Sequence, residues 1–371
     1  MTALVTGFPS CFLATRVVQR LLDDGQEVWA VVRRKSMEHA ERLRAEMSPH
    51  ERRRLRLLEG DSACIDLGLS GREFQMLTRE VERIHHCAAV TYLRATRAAA
   101  ERTNIGGARE VLELAEACRR LDRLVHWSTA LVSGTRRGRV LEEDLGPGPG
   151  RNAVEETRRR AERIVREARD HVPVTILRPS IVVGDSQTGE IDRLEGPYLL
   201  VRLLLNAPPD LRIPMPGRGN TLLNMVPIDF VVDAGFALAA HPRSAGRTFH
   251  IVDPDPLPAR RVFDLIAEKA QRPAPRGYVP TGMATALMRT PGLERLANIP
   301  RTLLEQLSAD VVWDDRQARP ILREAGVQCP PFEDYVGKMV AFVREQQERR
   351  RDPGALGVDE LRFEDQDVSL D

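Results

Sequence analysis

The sequence is poor in several residue types on which common chemistries depend. Its 371 residues include three lysines (Lys35, Lys269, Lys338) and four tyrosines (Tyr92, Tyr198, Tyr278, Tyr335). Any reaction needing an amine or a phenol therefore has few candidates. The five cysteines, Cys11, Cys64, Cys87, Cys118 and Cys329, contain no CxxC pair. An odd set without such spacing argues against a disulfide framework and for reduced thiols in a cytoplasm. No apolar run approaches the ~20 residues of a membrane span. The most apolar stretch, Tyr198–Leu205, is interrupted by Arg202. No basic segment precedes an apolar one at the start, so no secretory signal is expected. Nor is there an excess of charge: 55 Lys+Arg against 54 Asp+Glu give +1, which offers no electrostatic case for nucleic acid as a partner.

What is present is ordinary for a globular chain, with 42% hydrophobic and 29% charged residues. Ala3–Thr6, Val28–Val32, Leu55–Leu58, Ile84–Ala88, Leu124–Trp127 and Val174–Leu177 read as buried strands. Helical spacing falls between them at Phe12–Leu22, Gly107–Arg120 and Val154–Arg169, with Met37–Arg54 as a solvated helix and connection. The alternation predicts an α/β fold, a Rossmann-type doubly wound parallel sheet. After Pro179 the pattern changes to prolines, short apolar runs, a late strand at Thr248–Val252, and helical patches at Val262–Lys269 and Tyr335–Arg344.

The first strand runs into Thr6-Gly7-Phe8-Pro9-Ser10-Cys11-Phe12-Leu13-Ala14. A strand, a tight turn and a helix N-terminus make a ready anion site. Only Gly7 remains of the usual glycines, with Ser10 and Ala14 near the other glycine positions, and the loop is one residue longer than TGxxGxxG. Alone, this fits an ordinary strand–turn–helix equally well. It is followed, in order, by Gly60-Asp61, His86-Cys87-Ala88-Ala89, Asn104-Ile105-Gly106-Gly107, Trp127-Ser128-Thr129-Ala130, Leu177-Arg178-Pro179-Ser180, and Val226-Pro227-Ile228-Asp229 with Asp233.

Together these segments resemble the extended short-chain dehydrogenase/reductase family of NAD-dependent epimerases and dehydratases. The nearest branch is that of thioester reductase domains and fatty acyl-CoA reductases, from about Thr2 to Phe342. The resemblance implies a nicotinamide dinucleotide held by Gly7, Ser10, Phe12, Asp61 (at the adenine), Ala88, Ala89, Pro179 and Ser180. It makes Thr129 the catalytic hydroxyl and the Val226 segment mainly structural. The expected organisation is a dinucleotide-binding domain over residues 1–189 and a smaller, mainly helical substrate lobe over 190–348 with late strands returning to the main sheet. An acidic, disordered tail over 349–371 completes it, carrying seven acids against Arg362 from residue 352 onward.

The family works through Tyr and Lys spaced as YxxxK on one helical face. In the matching stretch the Ala161-Glu162 pair fixes the register. It puts Val154 at the tyrosine position and Arg158 at the lysine position, with Val154 25 residues after Thr129. No tyrosine lies between Tyr92 and Tyr198 and no lysine between Lys35 and Lys269, so a slipped register restores nothing. Arg158 can still hydrogen-bond a ribose. Val154 can move no proton and is not catalytic; losing a positioned acid costs ~10²–10⁴ in rate. The stand-ins are Thr129, Ser133, Glu155, Glu156 and Tyr198. Thr129 alone occupies a family catalytic position, and the others also read as a solvated helix face (the glutamates) or a packed side chain (Tyr198). His85, His86 and His126 read as core or strand-end residues, and Cys11 and Cys87 as small apolar fillers. No His/Cys/Asp spacing suggests a metal.

An acidic residue ending the second strand usually goes with NAD. Val31-Val32 is instead followed by Arg33-Arg34-Lys35, which can accept a 2′-phosphate. Arg33 and Arg34 thus favour NADPH, with NADH the alternative. The apolar stretches Tyr198–Leu205, Ile213–Met215, Leu222–Met225 and Met283–Met288 read as core or as the wall of a pocket for an apolar small molecule. The expected function is an NAD(P)H-dependent ketone reductase or alcohol dehydrogenase of secondary-metabolite or lipid-like biosynthesis. The alternatives are a dinucleotide-binding sensor or structural protein that has lost catalysis, and a non-redox isomerase or dehydratase. Substrate, direction and oligomeric state stay open.

Overall fold

The computed structural model describes residues 1–91, 95–146, 150–208, 215–216, 219–279 and 310–351. Seven strands form one sheet: β1 (Thr2–Thr6), β2 (Glu27–Val32), β3 (Leu55–Glu59), β4 (Arg83–His86), β5 (Arg123–Trp127), β6 (Val174–Pro179) and β7 (Arg247–Ile251). Their order is β7-β6-β5-β4-β1-β2-β3 and every pair is parallel. The order reverses between β1 and β4, and ligands of such sheets sit outside the carboxyl ends at that reversal. Thr6 pairs with both Val31 and His86, so Gly7 leaves the sheet at this point.

Both faces of the sheet are covered, which is why its strands are apolar runs rather than alternating ones. Ala3 and Val5 point into a core shared with helices α1 (Phe12–Asp23) and α4 (Ile228–Ala240). Leu4 points the opposite way, into a core built with α2 (Gly107–Ala117) and α3 (Ala153–Glu167). Several expected bounds shift. β4 stops at His86, so Cys87 and Ala88 lie past the strand, and α2 and α3 end at Ala117 and Glu167. The charged stretch after β2 holds two helices, Met37–Glu46 and Pro49–Arg54. The second is opened by a reciprocal capping box between Ser48 and Glu51.

The chain divides into two compact units. The first comprises Met1–Val183, Thr221–Leu257 and Ala309–Pro330; the second comprises Gly184–Asn220, Pro258–Ser308 and Pro331–Asp371. In the second, helices Pro197–Asn206, Ala259–Lys269 and Phe332–Arg351 pack on one another. Met283–Met288, Ile213, Tyr92 and the acidic tail from Asp352 lie outside the described residues. No described helix is long and apolar enough to cross a membrane.

Candidate functional site

The turn after β1 is tight because a glycine starts it. Gly7 has φ +96°, and a Cβ there would lie 2.9 Å from Ala88 N and 3.0 Å from Ala88 Cα. The turn thus rests directly on the chain leaving β4. Cys11 N donates to Gly7 O at 2.9 Å, closing the turn ahead of α1. Thr6 Oγ1 lies 2.8 Å from His86 Nδ1 and accepts from Ala88 N at 3.3 Å, which ties the ends of β1 and β4 together. Within the turn, Phe8 is buried in the core. Ser10 is exposed, its hydroxyl 3.1 Å from that of Ser36 beyond β2. Phe12 is half-buried beneath the Arg16 guanidinium. Ala88 and Ala89 are half-buried.

Beyond β2, Arg33 precedes a short helical turn, Arg34–Ser36, and the exposed Arg34 guanidinium stands 4.0 Å from Glu59. Beyond β3, Asp61 is held on three sides. Its amide donates to Leu67 O at 2.8 Å, its Oδ1 accepts from Ala63 N at 3.0 Å, and its Oδ2 accepts from Arg102 Nη2 at 3.0 Å. Arg102 was not anticipated from the sequence. It lies two residues before Asn104, and no spacing marks it as a partner of Asp61.

At the other side of the reversal, half-buried Thr129 follows β5. Its hydroxyl donates to Pro179 O at a loose 3.4 Å and accepts from Leu131 N at 3.3 Å. Arg158, on α3, donates from Nη2 to Trp127 O at 2.9 Å, while its Nε is buried with no partner among the described residues. Burial lowers the pKa of this guanidinium, opposed by the nearby Cys11, Glu162 and Cys87. Val154 is buried with Val90 and Ala100, against Ala95, in a small apolar cluster. Ser180 is spent structurally, donating to Asn224 Oδ1 at 2.7 Å.

Four of the five stand-in acids are already engaged. Ser133 Oγ accepts from Trp313 Nε1 at 3.2 Å. The glutamates are not a solvated face. Glu155 is buried and accepts from Arg151 N and Nε, and Glu156 accepts from Gly150 N and from Arg159, because both carboxylates fasten the loop that enters α3. Tyr198 belongs to the second unit. Its hydroxyl accepts from Gly184 N and donates to Gly189 O, both at 2.9 Å, and burial pushes the phenol further up. Thr129 remains. The first unit therefore brings Gly7, Ala88, Arg158 and Thr129 around the reversal, with Arg33, Arg34 and Asp61 at the ends of β2 and β3. A glycine that lets two backbones touch and a half-buried guanidinium at the end of β5 suit a phosphate-and-ribose ligand.

The NAD-binding family described as Male sterility protein matches residues 5–235. The chain is 28% identical over 308 residues to the glycine betaine reductase of Emericella nidulans, covering 76% of this chain and 23% of that protein. It is 27% identical over 253 residues to the 4-hydroxy-2-methyl-3-oxo-4-farnesyl-3,4-dihydroquinoline-1-oxide ketoreductase of Stigmatella aurantiaca, covering 66% of this chain and 72% of that protein. The terminal R domain from the myxalamid PKS-NRPS biosynthetic pathway superposes with a TM-score of 0.79 at 24% identity, over 97% of this chain and 92% of that one. This chain thus spans less than a quarter of the fungal reductase, and the likeness to the R domain is one of fold.

Proposed function

We propose, for a chain that belongs to the NAD-binding Male sterility protein family of extended short-chain dehydrogenase/reductases, an NAD(P)H-dependent reductase that works without a tyrosine acid. Its substrate is a carbonyl on an apolar small molecule of secondary metabolism. The Gly7–Cys11 turn and the start of α1 would hold the pyrophosphate, Asp61 the adenine end and Arg158 the nicotinamide-side ribose. When bound, the dinucleotide supplies the hydride.

The observation that carries this reading is the pairing of Thr129 and Arg158 at the end of β5. Arg158 grips Trp127 O, two residues before Thr129. The Thr129 hydroxyl is held so loosely by Pro179 O that it can turn to a substrate oxygen. A hydroxyl and a half-buried cation there stabilise a developing oxyanion electrostatically, while Val154 excludes proton transfer from that helix position. An electron-poor carbonyl, or one whose reduction is followed by dehydration or aromatisation, needs less acid help. The names of the two relatives, a glycine betaine reductase and a farnesylated quinoline-oxide ketoreductase, support reduction at a carbonyl group, the second on an apolar molecule. Arg33 and Arg34 support NADPH over NADH.

The test is stopped-flow oxidation of bound NADPH and NADH against a panel of apolar ketones and thioesters. Substrate-dependent oxidation is expected, faster with NADPH. Tight dinucleotide binding with no oxidation across the panel would instead describe a protein that has kept the fold and lost the reaction.

A further inference from the structure

Glu162 lies one helical turn beyond Arg158 on α3 and is fully buried. Its carboxylate gathers groups from two neighbouring strands. Ser128 Oγ donates to Oε2 at 2.6 Å, and Arg178 Nε donates to both oxygens at 3.1 and 3.0 Å. Arg166 Nε stands 3.1 Å from Oε1. Arg178 is equally buried, and its Nη1 donates to the carbonyls of Glu142 and Asp144 at 3.1 and 2.9 Å. The geometry has a consequence for the residues that follow. Ser128 immediately precedes Thr129, and Arg178 immediately precedes Pro179. Glu162 therefore ties together the residues just before the two partners of the Thr129 Oγ1–Pro179 O bond.

A bond of 3.4 Å does little by itself to fix a hydroxyl. The rigidity must come from beneath. Ser128 N donates to Leu177 O at 2.7 Å, so the two strand ends are already laddered. The carboxylate then removes the remaining freedom of the Ser128 side chain through a short charge-assisted bond. With Arg158 holding Trp127 O, α3 grips two consecutive residues before Thr129, one by a cation and one by an anion.

We propose that Glu162, acting through Ser128 and Arg178, is a positioning residue that sets where the Thr129 hydroxyl stands relative to the Pro179 carbonyl and so to a substrate carbonyl. The inference rests on the reductase reading. It differs from a plain core ion pair in one respect. A core pair would affect every property of the fold alike, whereas a positioning pair acts on the reaction only while Thr129 has a hydroxyl to place.

The experiment is a double-mutant cycle of Ser128→Ala and Thr129→Val, read by single-turnover oxidation of NADPH by an apolar ketone that the wild-type chain reduces, which accepts the hydride and becomes the alcohol, and by calorimetric dinucleotide affinity. Ser128→Ala deletes one donor and leaves Glu162 paired with Arg178 and Arg166. In the wild-type background it should slow hydride transfer about tenfold, the size expected for loss of a hydrogen bond to a charged group, with dinucleotide affinity changed less than twofold. In the Thr129→Val background the same change should slow transfer less than twofold. Equal losses in the two backgrounds, or no loss in the first, overturn the proposal. If Ser128→Ala does not fold, Ser128→Cys, near-isosteric with a weak donor, runs the same cycle with the same criteria. A wild-type chain that never oxidises NADPH overturns the reductase reading first and this inference with it, an outcome distinct from a failed cycle.

Discussion

At Gly7 the sequence suggests a phosphate contact, while the structure adds an earlier constraint. A side chain there meets Ala88 N at 2.9 Å before it meets any ligand, and φ +96° is a conformation that L side chains rarely adopt. Gly7→Ala should therefore destabilise the chain by about 2–4 kcal/mol, from strain plus overpacking, and abolish dinucleotide binding. Urea unfolding without ligand checks this. Unchanged stability with lost affinity would return the whole effect to the ligand. Thr129 and Val154 make the complementary pair. Thr129→Val should lower the hydride-transfer rate by ~10²–10³, the usual loss for one oxyanion donor, with dinucleotide affinity preserved. Val154→Tyr should bring no gain in rate. The ring would enter the cluster of Val90 and Ala100 and cost ~1–3 kcal/mol of overpacking. Rates and thermal midpoints of the two variants decide the matter; a tyrosine variant faster than the native chain would count against a site shaped around valine.

At the scale of elements, the proposed preference for NADPH rests on Arg33 and the turn Arg34–Ser36 beyond β2. Arg34 makes only a distant 4.0 Å approach to Glu59, so its charge is not consumed in the fold. Replacing Arg33 and Arg34 by Ala should weaken NADPH more than NADH in a titration. A native preference for NADH of tenfold, about 1.4 kcal/mol, would defeat the assignment. The strands and α1 to α3 were legible in the sequence because strands covered on both faces are unbroken apolar runs and the helices between them keep their own period. Val154 and Arg158 both lie on α3, where the helical spacing predicts a helix. The charged partnerships were not legible. Arg102 with Asp61, Glu162 with Ser128 and Arg178, and the glutamates that hold the loop before α3 are joined by how strands and helices stack. Paired charges leave no periodic signal along the chain, so a buried carboxylate such as Glu155 reads like a solvated one. Tyr198, which the sequence leaves open as a stand-in acid or a packed side chain, is the packed one, its hydroxyl spent on Gly184 and Gly189.

At the scale of the molecule, the first unit encloses four neutral imidazoles, and they set how the fold answers to acid. Burial draws His85 down to about 3, with help from Arg83, and His126 to about 4, where Glu162 opposes and Arg158 assists. His250 falls to about 3 through burial and Arg178, and burial, then His126 and Arg158, hold His86 well below the ordinary range. Unfolded, all four would take up a proton near 6.5. Below that pH the unfolded chain binds protons that the folded one refuses, so stability falls as pH falls, on the order of 2 kcal/mol per histidine by pH 5. Glu142 runs the other way. Burial raises it from 4.5 to about 7, against the backbone donors of Gln317, His250 and Ala318. Between those values the folded state holds the extra proton, and this one group favours folding as pH drops. For Glu162, burial pushes the pKa up, but Arg178, Arg166 and Ser128 outweigh it and bring it from 4.5 to about 2; its contribution is complete above 4.5 and is lost only below that. The four imidazoles, joined by His39, which burial and Arg42 also lower, outweigh Glu142 and the Glu110 carboxyl that burial raises, and give a net loss between pH 7 and pH 5. The urea midpoint should therefore fall across that interval, and fall more steeply in Glu142→Gln, which lacks the opposing proton. A midpoint that stays level or rises from pH 7.5 to pH 5 would mean that the imidazoles accept charge inside the fold, and a neutral histidine core would be wrong.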